Sequence, residues 1–268
     1  MKKKSVAIVG CGAIGAFVAE RLHENFRESF SLDWFSSNTM AKAEALAARF
    51  GGQAAPYEEA IPRCDVVLEA TTVQAMPGVL RTAARHGKAL VVLSIGGFLQ
   101  DPDLLAEAEA AVAPIYLPSG ALAGFDGIMG MREIGLEEVV LTITKHPKSL
   151  AGNAYLEQQG VDLTALTEPV TLFDGPADQA IRNFPANVNV AINLSLAGLG
   201  FSRTRVHLVA DPNTTTTVLT VSAKAGPCAM TATTTGVPLP QNPRSSLLAA
   251  QAALGAFRRL ASPLHTGT

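Results

Sequence analysis

"SVAIVGCGAIGAFVAERLHENF", residues 5–26, decides the fold. Ser5 to Gly10 form a short apolar run that ends in a glycine cluster, and beyond it Ile14, Phe17, Val18 and Leu22 recur at helical spacing. Between the strand and the helix, Gly10, Gly12 and Gly15 match G-x-G-x-x-G. Alone the pattern is weak, because glycine is common in turns. Placed after a strand and at the opening of a helix, it is the arrangement that sets a pyrophosphate on backbone N–H groups at a helix N-terminus. Gly10, Gly12, Ala13, Ile14 and Gly15 are therefore expected to bind a dinucleotide.

Outward from this stretch the chain keeps a regular rhythm. "FSLDWF" (30–35), "DVVLEAT" (65–71), "ALVVLS" (89–94) and "PIYLPSG" (114–120) read as strands. Helices are expected in "MAKAEALAARFG", closed by Gly51-Gly52, and in "MPGVLRTAARHG" and "DPDLLAEAEAAVA". Nearly continuous apolar strands alternating with helices predict a parallel sheet covered on both faces.

Composition narrows the function classes. The chain has 268 residues, room for one large or two modest domains, and a formal net charge of −2. It carries no basic field for nucleic acid, and no apolar stretch reaches the roughly 18 residues of a membrane span. The apolar run after the lysine-rich start stops at Gly10, which fits a signal peptide poorly. Cys11, Cys64 and Cys228 are unclustered, so neither a disulfide framework nor a metal site is expected. The expectation is a cytoplasmic protein with a small-molecule substrate.

The second strand bears on which dinucleotide binds. An acid at its carboxyl end would bond the ribose 2′-hydroxyl and repel a 2′-phosphate. Asp33 is followed by Trp34 and Phe35 and should lie inside the strand. The end reads Ser36-Ser37-Asn38-Thr39, which can donate to a phosphate, although no arginine is present for strong selection. NADP or NAD is expected, with NADP slightly favoured. Ligands of such sheets lie beyond the carboxyl ends of the strands, which points to "EATT" (69–72), "SIGG" (94–97) and "PSGALAGFDG" (118–127), with Ala70, Thr71 and Ser94 among the cofactor contacts. Glu69 reads as a strand-end residue held by backbone N–H groups, the alternative being a general base.

After residue 120 the period changes. "EEVVLTITKHP" (137–147), "TEPVTLFDG" (167–175), "TRVHLVADP" (204–212), "TTTVLTVSAKAG" (215–226) and "CAMTATTTG" (228–236) alternate with period two, broken by one helical segment at 184–200. Such alternation predicts a mostly antiparallel sheet with a helix packed on one side. The final helix, with Asn242 or Ser245 near its start, is expected to return to the first domain. The fold expected is an α/β Rossmann domain with a parallel sheet, residues 1–120 completed by 241–268. An α+β domain at 121–240, with a mostly antiparallel sheet, is inserted into it for substrate and dimerisation. The open face of that sheet would suit a homodimer.

"GCGAIG", "PSGALAGFDG", "TKHP", "FPANVNVAINLSLAGLG", "RTRVHLVADP" and "NPRSSLLAAQAAL" resemble, in order, the L-aspartate dehydrogenase family over nearly the whole chain. The resemblance implies a Rossmann domain, an α+β second domain and NAD(P)-dependent oxidative deamination of aspartate. It also places Ala121 and Asn189 on the nicotinamide side. The family's catalytic histidine, and an asparagine two residues before it, fall here on Leu219 and Thr217.

Leucine neither donates nor accepts a proton, so the family's acid/base step does not carry over. His207 and Lys145 are candidate substitutes. His207 otherwise reads as a half-exposed strand residue, and Lys145, followed by His146, as a strand end or a contact for a substrate carboxylate. Asn187 is either an N-cap residue or, like Asn189, a cofactor contact. Two functions follow. One is an NAD(P)-dependent oxidoreductase acting on a C–N bond, with an amino/keto dicarboxylate or an imine as substrate. The alternative is a non-catalytic NAD(P)-binding sensor.

Overall fold

The computed structural model describes residues 3–185, 188–239 and 242–267. The chain forms two compact units. The first comprises residues 3–118 with Ala249–His265, and the second Ser119–Leu248 with Thr266 and Gly267.

In the first unit, β1 (Lys4–Val9), α1 (Ala13–Asn25), β2 (Phe30–Ser36), α2 (Met40–Phe50), β3 (Gln53–Ala54) and α3 (Tyr57–Ala60) are followed by β4 (Val66–Glu69), α4 (Met76–Arg85), β5 (Ala89–Val92), α5 (Leu104–Glu109) and β6 (Ile115–Tyr116). The strands form one parallel sheet in the order β3-β2-β1-β4-β5-β6. Each β–α–β connection must cross a face of such a sheet, so the central strands are buried on both sides. Val6, Ala7, Ile8, Val67 and Leu68 are fully buried accordingly.

Several elements depart from the sequence expectation: β3 and α3 have no counterpart in it, and the strand expected over 114–120 shrinks to Ile115–Tyr116. The Asp101–Ala113 segment yields only the short α5, pinned to α4 by Arg81, which bonds Glu107 at 2.7 Å and Asp101 at 2.5 Å. The pairing of β1 with β2 shifts register between Leu32 and Trp34. Asp33 falls in that irregularity and accepts from the Ser31 hydroxyl at 2.9 Å, while the strand runs on to Ser36.

The second unit contains α6 (Phe125–Gly135), β7 (Glu138–Lys145), α7 (Ala154–Gln158), β8 (Val170–Pro176), α8 (Ala177–Asn183), α9 (Asn189–Ala197), β9 (Thr204–Ala210), β10 (Thr217–Ala225), β11 (Cys228–Gly236), β12 (Pro238–Leu239) and β13 (Asn242–Ser246). Its five-stranded sheet has the order β11-β10-β7-β9-β8 and is antiparallel except where β7 pairs with β9. Period-two alternation sets Leu141, Ile143, Leu208, Leu219 and Val221 on one buried face, against which α6, α8 and α9 pack. The other face carries hydroxyls in facing pairs, with Thr220 Oγ1 3.0 Å from Thr233 Oγ1 and Ser222 Oγ 3.4 Å from Thr231 Oγ1.

The expectation of a single helical segment here needs correction, because α6, α7 and α8 also form. The start of α6 hides in "AGFDG", where glycine is poor in helix interiors. Packing overrides propensity. Gly124 sits at φ +89°, where a side chain would be strained, and a Cβ on Gly127 would lie 2.2 Å from Met230 Sδ.

A further difference lies at the second junction. Asn242 and Ser245 do not start the last helix; Asn242–Ser246 is β13, paired with β12. The helix α10 (Leu247–Ala261) begins after it and returns to the first unit. There Phe257 packs edge-on against Phe30 with ring centroids 5.3 Å apart, and Lys4 Nζ donates to the Leu260 carbonyl at 2.7 Å. A buried phenylalanine of this kind costs about 3–5 kcal/mol to truncate to alanine. Among the described residues, no helix is long and apolar enough to cross a membrane.

Candidate active site

Each glycine of the first turn meets a different physical demand. Gly10 has φ +105°, and a Cβ there would sit 2.2 Å from the Ala70 carbonyl oxygen. A Cβ on Gly15 would lie 1.9 Å from the Gly10 carbonyl oxygen, so the helix can approach the turn only without one. Around Gly12, by contrast, nothing lies within 4 Å of such an atom. Gly12 is also the N-cap of α1, and no side chain caps the helix. Gly12 is exposed, Ala13 and Ile14 are half-buried, and Gly15 is buried beneath them, so the helix start is open at Gly12 at the positive end of a helix dipole, which fits a dinucleotide pyrophosphate.

The Ser36 carbonyl holds this turn. It accepts from Gly10 N at 2.8 Å and from Cys11 Sγ at 3.3 Å. Burial pushes the Cys11 thiol up to about 11, so it serves as a neutral donor rather than a nucleophile. Ser36 is itself buried, whereas Ser37 is half-exposed and its hydroxyl accepts from Thr39 N at 3.3 Å. The strand end therefore presents hydroxyl and amide groups.

At the ends of β4 and β5, Glu69 is fully buried. Its Oε1 accepts from Thr71 N at 2.7 Å and Thr71 Oγ1 at 2.6 Å, and its Oε2 from Ser94 N at 3.0 Å and Leu93 N at 3.3 Å. Ser94 Oγ donates back to the Thr71 carbonyl at 2.9 Å. Ala70, Thr71 and Ser94 are thus gathered around one carboxylate, beside the turn of Gly10.

In the second unit, the buried sheet face carries Leu219 and Lys145. The tight hairpin that pairs Ala225 with Cys228 places Leu219 opposite Thr234 and next to Ile143. Thr234 Oγ1 donates to the Ala121 carbonyl at 2.6 Å. Thr234 is absent from the sequence reading, although counting back from the Gly226–Pro227 turn leads to it. Gly120 approaches Val190, the neighbour of Asn189, which is the exposed first residue of α9. Ala121, Leu219 and the start of α9 are therefore grouped within this unit, with half-buried Thr217 at the head of β10. Lys145 ends β7 on the same face as Ile143 and pairs with Ala210. Desolvation lowers the pKa of its ammonium from the ordinary lysine value. Asn187 lies outside the described residues.

His207 requires a correction. It lies between the inward-facing Val206 and Leu208, on the face opposite Leu219. There Asp174 Oδ1 is 3.0 Å from His207 Nε2 and 2.6 Å from Arg205 Nε, so the imidazole belongs to a surface ion cluster rather than to the Leu219 wall. His146 is turned to local use, its Nδ1 accepting from Lys148 N at 3.1 Å.

A parallel sheet with this strand order and an open, glycine-lined helix start defines a nicotinamide-dinucleotide-binding oxidoreductase unit, here with a mixed-sheet unit inserted into it. Residues 10–118 match the family described as homoserine dehydrogenase, NAD binding domain, and residues 126–260 match aspartate dehydrogenase, C-terminal. An L-aspartate dehydrogenase of Methanosarcina barkeri (strain Fusaro / DSM 804) is 32% identical, covering 98% of this chain and 99% of its own. The L-aspartate dehydrogenase 3 of Bordetella bronchiseptica is 31% identical, covering 98% and 97%. The crystal structure of aspartate dehydrogenase from Thermotoga maritima is similar in fold, with a TM-score of 0.75 over 99% of this chain and 100% of that one at 21% identity. The chain belongs to the L-aspartate dehydrogenase family and is an NAD(P)-dependent oxidoreductase acting on a C–N bond.

Proposed function

We propose that this enzyme has been retuned away from aspartate. Its substrate in this reading is a carboxylate-bearing imine, or the matching amine, that is bulkier or less polar. The observation that carries the proposal is Leu219, buried at 5% exposure on the inner sheet face, where the family resemblance places a histidine. A placed acid/base contributes on the order of 10²–10⁴-fold to rate, and leucine contributes none of it. Nothing titratable replaces it within its cross-strand row, since Thr234, Ile143 and Leu208 are its neighbours.

The first unit holds the dinucleotide in this reading, through Gly10, Gly12, Ala13, Ile14 and Gly15 on the pyrophosphate, and through Ala70, Thr71 and Ser94 at the strand ends. Ser37 meets the adenosine ribose, whereas Ser36, expected there too, is buried and supports the glycine turn through its carbonyl. With Asp33 held inside the strand, no acid opposes a 2′-phosphate, which favours NADP at least equally with NAD. When bound, the nicotinamide supplies or accepts a hydride at the carbon of the C–N bond.

Ala121 and Asn189 take the nicotinamide side, as the family resemblance suggests. Lys145 attracts the substrate carboxylate, and Leu219 keeps water from the reacting carbon. The imine then arrives already protonated, so no side chain need move a proton at that step. A homodimer using the exposed sheet face, and a cytoplasmic setting in keeping with three free cysteines, belong to the same proposal.

The test is a screen of NADPH oxidation by the wild-type enzyme against keto acids with ammonia and against cyclic imines. The expected result is turnover of at least one imine. NADPH binding without turnover across the panel would instead support a cofactor sensor.

A further inference from the structure

Glu69 is a buried carboxylate with no ion-pair partner among the described residues, and the hydride chemistry gives it no role. Both oxygens act only as acceptors, and they divide the donors between two loops. Oε1 takes the amide and hydroxyl of Thr71 after β4, while Oε2 takes the amides of Leu93 and Ser94 after β5. The Ser94 hydroxyl closes the ring by donating to the Thr71 carbonyl. The peptide joining Ala70 to Thr71 is also the surface that Gly10 abuts, since a Cβ on Gly10 would lie 2.2 Å from Ala70 O and 2.8 Å from Thr71 N. One carboxylate therefore joins the two strand-end loops beneath the glycine turn, beside the bond that Ala70 N makes to the Val9 carbonyl at 2.8 Å.

We propose that Glu69 is a positioning residue for the dinucleotide, holding these three segments in the geometry that binds it. This rests on the reading that the first unit binds NAD(P) at those loops. Ala70 N donates to the Val9 carbonyl at 2.8 Å and Leu93 N to the Glu69 carbonyl at 3.0 Å, but the Thr71 and Ser94 amides just beyond are bonded by the Glu69 side chain, so without the carboxylate these loops would lose preorganisation. Aspartate is too short to reach both loops. Glutamine matches the shape, but its amide nitrogen must face N–H donors on one side, leaving them unpaired.

The test uses the full chain with Glu69→Gln and Glu69→Asp, NADPH titration by fluorescence, and amide hydrogen exchange without cofactor. The wild type should bind NADPH and protect the Thr71 and Ser94 amides from exchange. Both variants should lose protection at one of those amides, keep it at Ile8 and Leu90, and bind NADPH roughly tenfold or more weakly, the scale of one lost buried hydrogen bond to a charged group. Affinity within twofold of wild type in a folded Glu69→Gln chain would overturn the proposal. If the variants do not fold, wild-type exchange carries the test, and loop-like exchange at Thr71 and Ser94 would overturn it. Failure of the wild type to bind either NADPH or NADH would instead remove the reading beneath it.

Discussion

Leu219 faces Thr234 across the β10–β11 ladder, and the Thr234 hydroxyl in turn holds the Ala121 carbonyl at 2.6 Å. The apolar wall and the segment assigned to the nicotinamide side are thus linked through one side chain. Thr234→Val keeps the shape and removes the donor. It should lower stability by about 1 kcal/mol and raise the cofactor KM several-fold, with a smaller change in kcat. Steady-state kinetics alongside thermal melting check this. A melting shift with no change in KM would place Ala121 away from the cofactor.

Cofactor choice rests on the end of β2. The wild type should bind NADPH at least as tightly as NADH. Ser37→Asp introduces a carboxylate where a 2′-phosphate is expected, and should lower the NADPH-to-NADH preference by roughly tenfold or more through charge repulsion. Fluorescence titration with both nucleotides decides the matter, and a large wild-type preference for NADH would contradict it.

Lys145 should act on substrate rather than cofactor. Lys145→Met is expected to raise substrate KM about tenfold, the scale of a lost charge-assisted bond, while leaving NADPH affinity nearly unchanged. Because burial lowers the pKa of this ammonium, its charge is lost earlier than an exposed lysine's as pH rises. Wild-type KM for a carboxylate substrate should therefore climb on the alkaline side before ordinary lysines titrate, and the methionine variant should not show that climb. Equal KM values in the two proteins would remove Lys145 from the site.

Much of the first unit was legible because its signals are local. Gly10 and Gly12 follow a strand and Gly15 lies in the first turn of a helix, and that placement, rather than the spacing alone, names the turn. The second unit was legible as strands but not as faces. Deciding that His207 points away from Leu219 requires the register of β7 against both β9 and β10, which depends on long-range pairing. The helix α6 was hidden because Gly124 and Gly127 are there for Met230, a partner far along the chain. The role of Glu69 was half visible, since its hold by backbone N–H groups could be read from its place at the strand end, but that these come from both Thr71 and Ser94 could not.

Restoring the family pair tests the retuned site most directly. Thr217→Asn with Leu219→His returns an acid/base group to the inner sheet face, and NAD(P)-dependent oxidation of aspartate should be measured beside imine reduction in both proteins. The double variant should gain aspartate oxidation by on the order of 10²-fold or more and lose imine reduction. Wild-type oxidation of aspartate as fast as that of the double variant would contradict the account, because proton transfer would then proceed without any group at position 219.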